Sequence, residues 1–300
     1  MKSALRMEML AVVLALPALL ATGAARSDAP PPTAETPAPT GPPATPSTMP
    51  TATPEPVVAT PENGADRIQP STAMLRLRMG MKRGIFVYPA VPPVSPEALP
   101  VLFFSGDWGW KPVLQDTASY LSRRGRTVIG IDSTEYFSRQ LEEPDWSRDL
   151  KTLRDFANEK AGRPAGSPVL LAGFTWGASM VPFMLNRGGA EEFAGALLIG
   201  PIFHSNRIYR VTLQMPTSIV PLPKDEEFMT VDEVTKMPPI PVVFMQGAQD
   251  MESAADALIK VARGPKQIVN VPGGDRQFRD VREIYFSLAA QALGWLEGKH

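Results

Sequence analysis

Two glycines, one two residues before and one two residues after a hydroxyl-bearing side chain, mark the stretch of this chain best suited to chemistry: Gly173-Phe174-Thr175-Trp176-Gly177. An apolar run, residues 167–172, leads into it, and a helix-like segment, residues 178–186, leaves it. Strand, tight turn and helix with this glycine spacing form the pattern of a nucleophile elbow, whose turn lifts the central side chain above the end of a sheet. The usual occupant is serine. Thr175 carries an extra methyl that restricts χ1 and crowds an approaching carbonyl. A hydroxyl in this position becomes a nucleophile only when a base of near-neutral pKa takes its proton.

An acyl-transfer site on such a scaffold needs two further groups in chain order, an acid at a later strand end and then a histidine. Asp250 follows the apolar run 242–246 and occupies the acid position. Where the histidine is due, after residues 267–271, the chain reads Pro272-Gly273-Gly274-Asp275-Arg276-Gln277-Phe278 and has no imidazole. Asp275 stands in its place and would accept a proton only if burial raised its pKa strongly, with Arg276 beside it acting the other way. His204 follows the run 194–199 and is the other imidazole that could reach the crevice; His300 is the last residue. Threonine nucleophiles usually sit at a chain start and use their own amine as base. Thr175, Asp250 and Asp275 therefore read as a degenerate triad, with a bend kept for packing as the simpler account of Thr175.

The loop Ser105-Gly106-Asp107-Trp108-Gly109-Trp110 has the position of an oxyanion loop. Main-chain amides there and at Trp176 would face the Thr175 hydroxyl, which makes Gly106, Asp107, Trp108 and Trp176 the candidate oxyanion or ligand-binding residues. Trp108 and Trp110 serve either as an apolar wall of a pocket or as core residues that hold the loop. The acidic groups at 142–143 and 225–227 read as solvated loops.

The elements that must position these residues follow from periodicity. Residues 73–79 alternate apolar and basic side chains, and 84–88 are β-rich, which suggests an antiparallel edge hairpin. Strands are expected at 101–105, 127–132, 167–172, 194–199, 242–246 and 267–271. Helices are expected at 112–124, 146–160, 178–186, 253–262 and 280–296. This alternation gives an α/β fold, a mostly parallel central sheet with helices on both faces, of the α/β-hydrolase-like kind. Ligands in such folds bind at the carboxyl ends of the strands. Residues 204–235 read as irregular and lie where a lid would be inserted.

Composition sets the remaining bounds. The 300 residues hold no cysteine and two histidines, which excludes disulfides, a cysteine nucleophile, a lipoprotein anchor on cysteine and a histidine- or thiolate-rich metal site. No cofactor is called for. A formal net charge of −1 argues against nucleic acid as a partner. Lys2 and Arg6, the apolar run 9–21 and the small residues Thr22-Gly23-Ala24-Ala25 read as a signal peptide over 1–25, with a mature start near Arg26 or Ser27. Residues 26–70 are rich in proline, alanine and threonine, and read as a disordered linker because they bury too little apolar surface to offset ordering entropy. The folded domain is expected over 71–300, without a transmembrane helix in the mature protein, in the periplasm or outside the cell.

The stretches FFSGDWGW, IGIDSTEYF, LLAGFTWGASMVPFMLNR and VPGGDRQF together resemble the VirJ/AcvB bacterial virulence protein family, from about Pro100 to the C-terminus. The resemblance implies an α/β-hydrolase fold, export to the periplasm, association with type IV secretion, and hydrolysis of aminoacylated phosphatidylglycerol. It matches Ser105–Trp110 to Ser-Gly-Asp-Gly-Gly-Trp, with Trp108 in place of a glycine. It matches Gly173–Ala178 to Gly-Tyr-Ser-Phe-Gly-Ala, with Thr175 in the serine position. Asp250 matches the acid, and Pro272–Asp275 match Pro-Gly-Gly-His with aspartate for histidine. Two of three triad positions differ, so the expected function is a catalytically inactive relative that binds a small molecule, a lipid headgroup or an envelope or secretion-system protein. The alternative is a weak or atypical ester hydrolase using Thr175.

Overall fold

Short apolar runs flanked by glycine and proline form strands buried on both faces, as parallel strands must be. A computed structural model describes residues 84–299 except 96, 139–140, 142 and 209–226. The expected signal peptide, linker, strand at 73–79 and His300 lie outside the described residues. β2 (Val101–Phe104), β3 (Val128–Ile131), β4 (Val169–Phe174), β5 (Phe193–Ile199) and β8 (Val242–Gly247) are buried along their whole length. β1 (Ile85–Tyr88) and β9 (Lys266–Val271) are the half-exposed edges.

The seven-stranded sheet runs β1-β3-β2-β4-β5-β8-β9. β1 is antiparallel to β3, and every other pairing is parallel. Alternation along the strands feeds two cores. Leu102 and Phe104 point to one and Val101 and Phe103 to the other. The first core is closed by α3 (Glu143–Lys160) and α4 (Trp176–Gly188) with Leu150, Leu153, Val181 and Met184. The second is closed by α1 (Pro112–Arg123) and α7 (Arg282–Glu297) with Leu114, Leu121, Tyr285 and Leu293. The expected mostly parallel sheet with helices on both faces is what forms.

Two details differ from the sequence expectation. A short helix, α2 (Ser133–Tyr136), follows β3, capped by Asp132. Residues 204–235 are not wholly irregular: β6 (His204–Asn206) and β7 (Glu227–Met229) pair antiparallel, and α5 (Thr230–Lys236) follows. Three residues per strand are too few for periodicity to register. The last short helix, α6 (Ala255–Val261), covers the sheet beside β8.

Candidate active site

Thr175 is the residue between the end of β4 and the start of α4, with φ 49° and ψ −112°. A β-branched residue in that region is strained, and a sharp strand-to-helix bend is what holds it there. The bend closes because its neighbours lack side chains. A Cβ on Gly173 would lie 2.5 Å from the Gly177 carbonyl, and one on Gly177 would lie 2.2 Å from the Ser105 carbonyl. The elbow is thus pressed against the loop after β2. Thr175 itself is 5 % exposed, so its hydroxyl is presented inside a crevice rather than to bulk solvent.

The loop after β2 is pinned from β3 and α2. Ser105 Oγ accepts from the Ser133 amide at 2.9 Å, and Asp132 Oδ2 accepts from the Trp110 amide at 3.2 Å. Gly109 turns with φ +73° over Asp132, too close for a Cβ. At the loop's centre Gly106 lies against the elbow: a Cβ there would sit 2.2 Å from Thr175 Oγ1. Next to it stands Asp107, half-buried, which lines the same cavity as Thr175. Burial raises the Asp107 pKa above the ordinary carboxylate range. Its own amide, Arg276 and the Thr175 hydroxyl oppose that rise, while Glu252 adds to it.

Asp250 stands on the loop after β8 with one oxygen used and one not. Oδ1 accepts from the Glu252 amide at 3.1 Å, whereas Oδ2 is buried with no hydrogen-bond partner among the described residues. A Cβ on Gly200 would lie 3.3 Å from that Oδ2 and 3.8 Å from the Thr175 methyl, so both groups border the same small space. Burial raises the Asp250 pKa too, against the pull of the Glu252 amide and Arg276. An acid of this fold would turn that oxygen to an imidazole nitrogen.

Asp275 is directed to its own turn. It accepts from the amides of Gln277 at 2.9 Å and Arg279 at 3.2 Å, and it is not among the residues lining the cavity beside Thr175. The residue that turns inward from this loop is Arg276, which is ion-paired with Glu252 and acts on both Asp107 and Asp250. A guanidinium donates and cannot accept a proton, so it fills none of the histidine's role as base. His204 is exposed on β6, at the rim of a smaller cavity of about 140 Å³ that also touches Asp107, Trp176 and Glu227. No hydrogen bond joins it to Thr175 among the described residues.

The cavity beside Thr175 holds about 440 Å³. Trp108, Val113, Leu114 and Phe174 supply apolar wall, and Lys111, Arg276 and Arg282 supply positive charge. Sequence reasoning missed Lys111 and Arg282, and named Arg276 only for its effect on Asp275. The tryptophans divide between the two roles expected of them. Trp108 is 59 % exposed and lines the cavity. Trp110 stacks on Phe86 at 5.1 Å and donates to the Tyr88 hydroxyl at 3.0 Å, which makes it core. The Trp176 indole is buried edge-on against Phe137 and donates to the Asn206 carbonyl, so only its main chain faces the elbow.

Solved structures of similar shape are enzymes of one fold. Est1E from Butyrivibrio proteoclasticus matches with a TM-score of 0.51 and 13 % identity, over 72 % of this chain and 94 % of that one. A soluble variant of monoglyceride lipase from Saccharomyces cerevisiae matches with a TM-score of 0.50 and 15 % identity, over 71 % and 91 %. At such identities the likeness establishes the α/β-hydrolase fold alone. No curated protein matches the sequence. A family profile described as bacterial virulence protein (VirJ) matches residues 99–298.

Proposed function

The chain belongs to the VirJ family of bacterial virulence proteins, and from that membership we propose an exported, catalytically silent hydrolase-fold protein that binds a ligand or an envelope partner in the crevice above Thr175. The observation that carries this reading is the lining of the cavity beside the hydroxyl: among the described residues it includes a carboxylate and a guanidinium and no imidazole. A carboxylate near a threonine hydroxyl is an acceptor far too weak to ionise it near pH 7, even when burial has lifted that carboxylate's pKa. Asp250 supports the same reading, since its inner oxygen lacks the partner that a working triad would supply. Meanwhile the cavity, with an aromatic rim, apolar wall and positive charges, has the volume and lining of a small-molecule site. Export rests on the expected signal peptide; no helix among the described residues is long and apolar enough to cross a membrane.

The alternative, a weak or atypical ester hydrolase with Thr175 as nucleophile, is favoured by one feature, the half-buried Asp107 carboxylate that lines the same cavity as Thr175. An activated-ester assay separates the two. Purified protein should turn over p-nitrophenyl butyrate no faster than Thr175→Ala and should resist labelling by a fluorophosphonate. Turnover that disappears in Thr175→Ala, or labelling at Thr175, would establish the hydrolase instead.

A further inference from the structure

We infer that the cavity beside Thr175 selects small carboxylic acids with an apolar body over the corresponding neutral esters and amides: the loop that would carry the base of an ester-cleaving site here presents a guanidinium, which suits the acid. The inference rests on the binding function proposed above and names its ligand. Asp275 holds the place of the histidine but does not line the cavity, whereas its neighbour Arg276 does. An imidazole there would take a proton from the elbow hydroxyl; a guanidinium donates hydrogen bonds and keeps its charge. Its planar fork matches the two oxygens of a carboxylate, and its ion pair with Glu252 uses Nη1 alone among the described residues.

Two further cations line the same cavity from other elements, Lys111 from the residue before α1 and Arg282 from the first residue of α7. Lys111 is exposed and forms no side-chain hydrogen bond or ion pair among the described residues, so its charge is uncommitted. Arg282 is held by Asp116 at 2.7 Å. The partners of the two arginines, Glu252 and Asp116, do not line the cavity, and their side chains are 75 % and 44 % exposed. Water therefore screens them from its interior. Asp107 is the single carboxylate among the described lining residues and opposes an anion, but three cations stand against it. The ligand's apolar body has its own wall in Trp108, Val113, Leu114 and Phe174. A volume of about 440 Å³ falls low in the range of about 300–1,000 Å³ usual for small-molecule sites, which suits a small ring system or a short alkyl chain rather than a two-chain lipid.

Isothermal titration calorimetry on the purified full chain compares two probes, 2-naphthoate and 2-naphthamide, a neutral molecule of the same shape. The acid should bind at least about tenfold more tightly, as hydrogen bonds to a charged group exceed those to a neutral one. Lys111→Met and Arg276→Gln should each weaken the acid about tenfold and the amide less than about twofold. Arg276→Lys, which keeps the charge and loses the fork, should retain part of the preference. Trp108→Ala should weaken both probes. Because the Lys111 side chain is exposed and unbonded among the described residues, a loss in Lys111→Met is not one of folding. Equal affinities for acid and amide, or a preference for the acid that survives both substitutions, overturn the inference while leaving the cavity as a binding site. So does binding to phosphatidylcholine vesicles that contain phosphatidylglycerol without binding to 2-naphthoate, which would assign the positive lining to a lipid headgroup. Failure of either probe to bind at all overturns it as well. The functional proposal fails by a different sign: release of 2-naphthoate from its methyl ester, absent in Thr175→Ala, would make the site a hydrolase whatever its affinity for the acid.

Discussion

Gly106 and Thr175 are the two residues whose contact defines the site, and their closeness can be measured. A methyl on Gly106 would come 2.2 Å from Thr175 Oγ1 and 3.3 Å from the Phe174 carbonyl. Neither is the end of a long flexible side chain, so the backbone must shift. Gly106→Ala should therefore cost about 2 kcal/mol, as overpacked sites commonly do. Thr175→Ala alone should cost about 1 kcal/mol, because it removes a methyl and a hydroxyl from a buried, closely packed position. Together they should cost less than the sum by at least about 1 kcal/mol, since the second substitution removes the atom the first collides with. Urea denaturation of the four proteins tests this. Additivity within about 0.5 kcal/mol would mean that the hydroxyl does not lie against Gly106. At this scale the sequence revealed which residues would meet but not how. The glycine spacing announces the bend, and Asp107 lies in the loop expected to face it. That Asp107 lines one cavity with Thr175, while Asp275 turns to its own loop amides, depends on side-chain directions across loops far apart in the chain.

Elements position the site through Asp132, which ends β3 and serves two structures at once. Oδ1 accepts from the Thr134 amide at 2.9 Å, the Thr134 hydroxyl at 2.6 Å and the Glu135 amide at 3.3 Å, starting α2, while Oδ2 accepts from Trp110. Asp132→Ala removes a cap and should cost about 1–2 kcal/mol. More telling, amide hydrogen exchange at residues 106–111 should accelerate, because the far end of that loop loses its tether. Unchanged exchange there would assign the loop's order to Ser105 and to the bond from the Gly109 amide to the Gly106 carbonyl. The long elements were legible because buried parallel strands are unbroken apolar runs and amphipathic helices repeat every three to four residues. α2 was not, although Asp132 with Glu135 three residues on carries the helix-start pattern, because four residues show no period. The β6–β7 ribbon escaped for the same reason, and its pairing spans a break in the described chain.

At the scale of the whole molecule, one ion pair ties the last helix to the strands that begin the site, and no local pattern could announce it. Arg126 and Glu297 are 171 residues apart and form two bonds, Nη1 to Oε1 at 2.5 Å and Nη2 to Oε2 at 3.0 Å. The same pair closes the main chain before β2, with Glu297 Oε1 accepting from the Leu99 amide at 2.6 Å and Arg126 Nη1 donating to the Leu99 carbonyl at 2.7 Å. With side chains only 10 % and 18 % exposed, neither charge has ready recourse to water. Glu297→Ala leaves a guanidinium and the Leu99 amide unsatisfied and should cost about 3 kcal/mol, whereas Arg126→Met with Glu297→Leu leaves no unpaired charge and should cost less, its remaining loss coming from the Leu99 amide and carbonyl. The urea midpoint should fall in the single variant, with the slope kept. Equal losses in the single and double variants would mean that the pair is solvated and weak. α7 also carries Arg282 into the cavity, but its hold there comes from Asp116 at 2.7 Å, at the other end of the helix. Probe binding by the folded Glu297→Ala protein should therefore match that of the unsubstituted chain. A loss of binding in step with stability would show instead that the closing helix, and not the loop after β2 alone, sets the shape of the crevice.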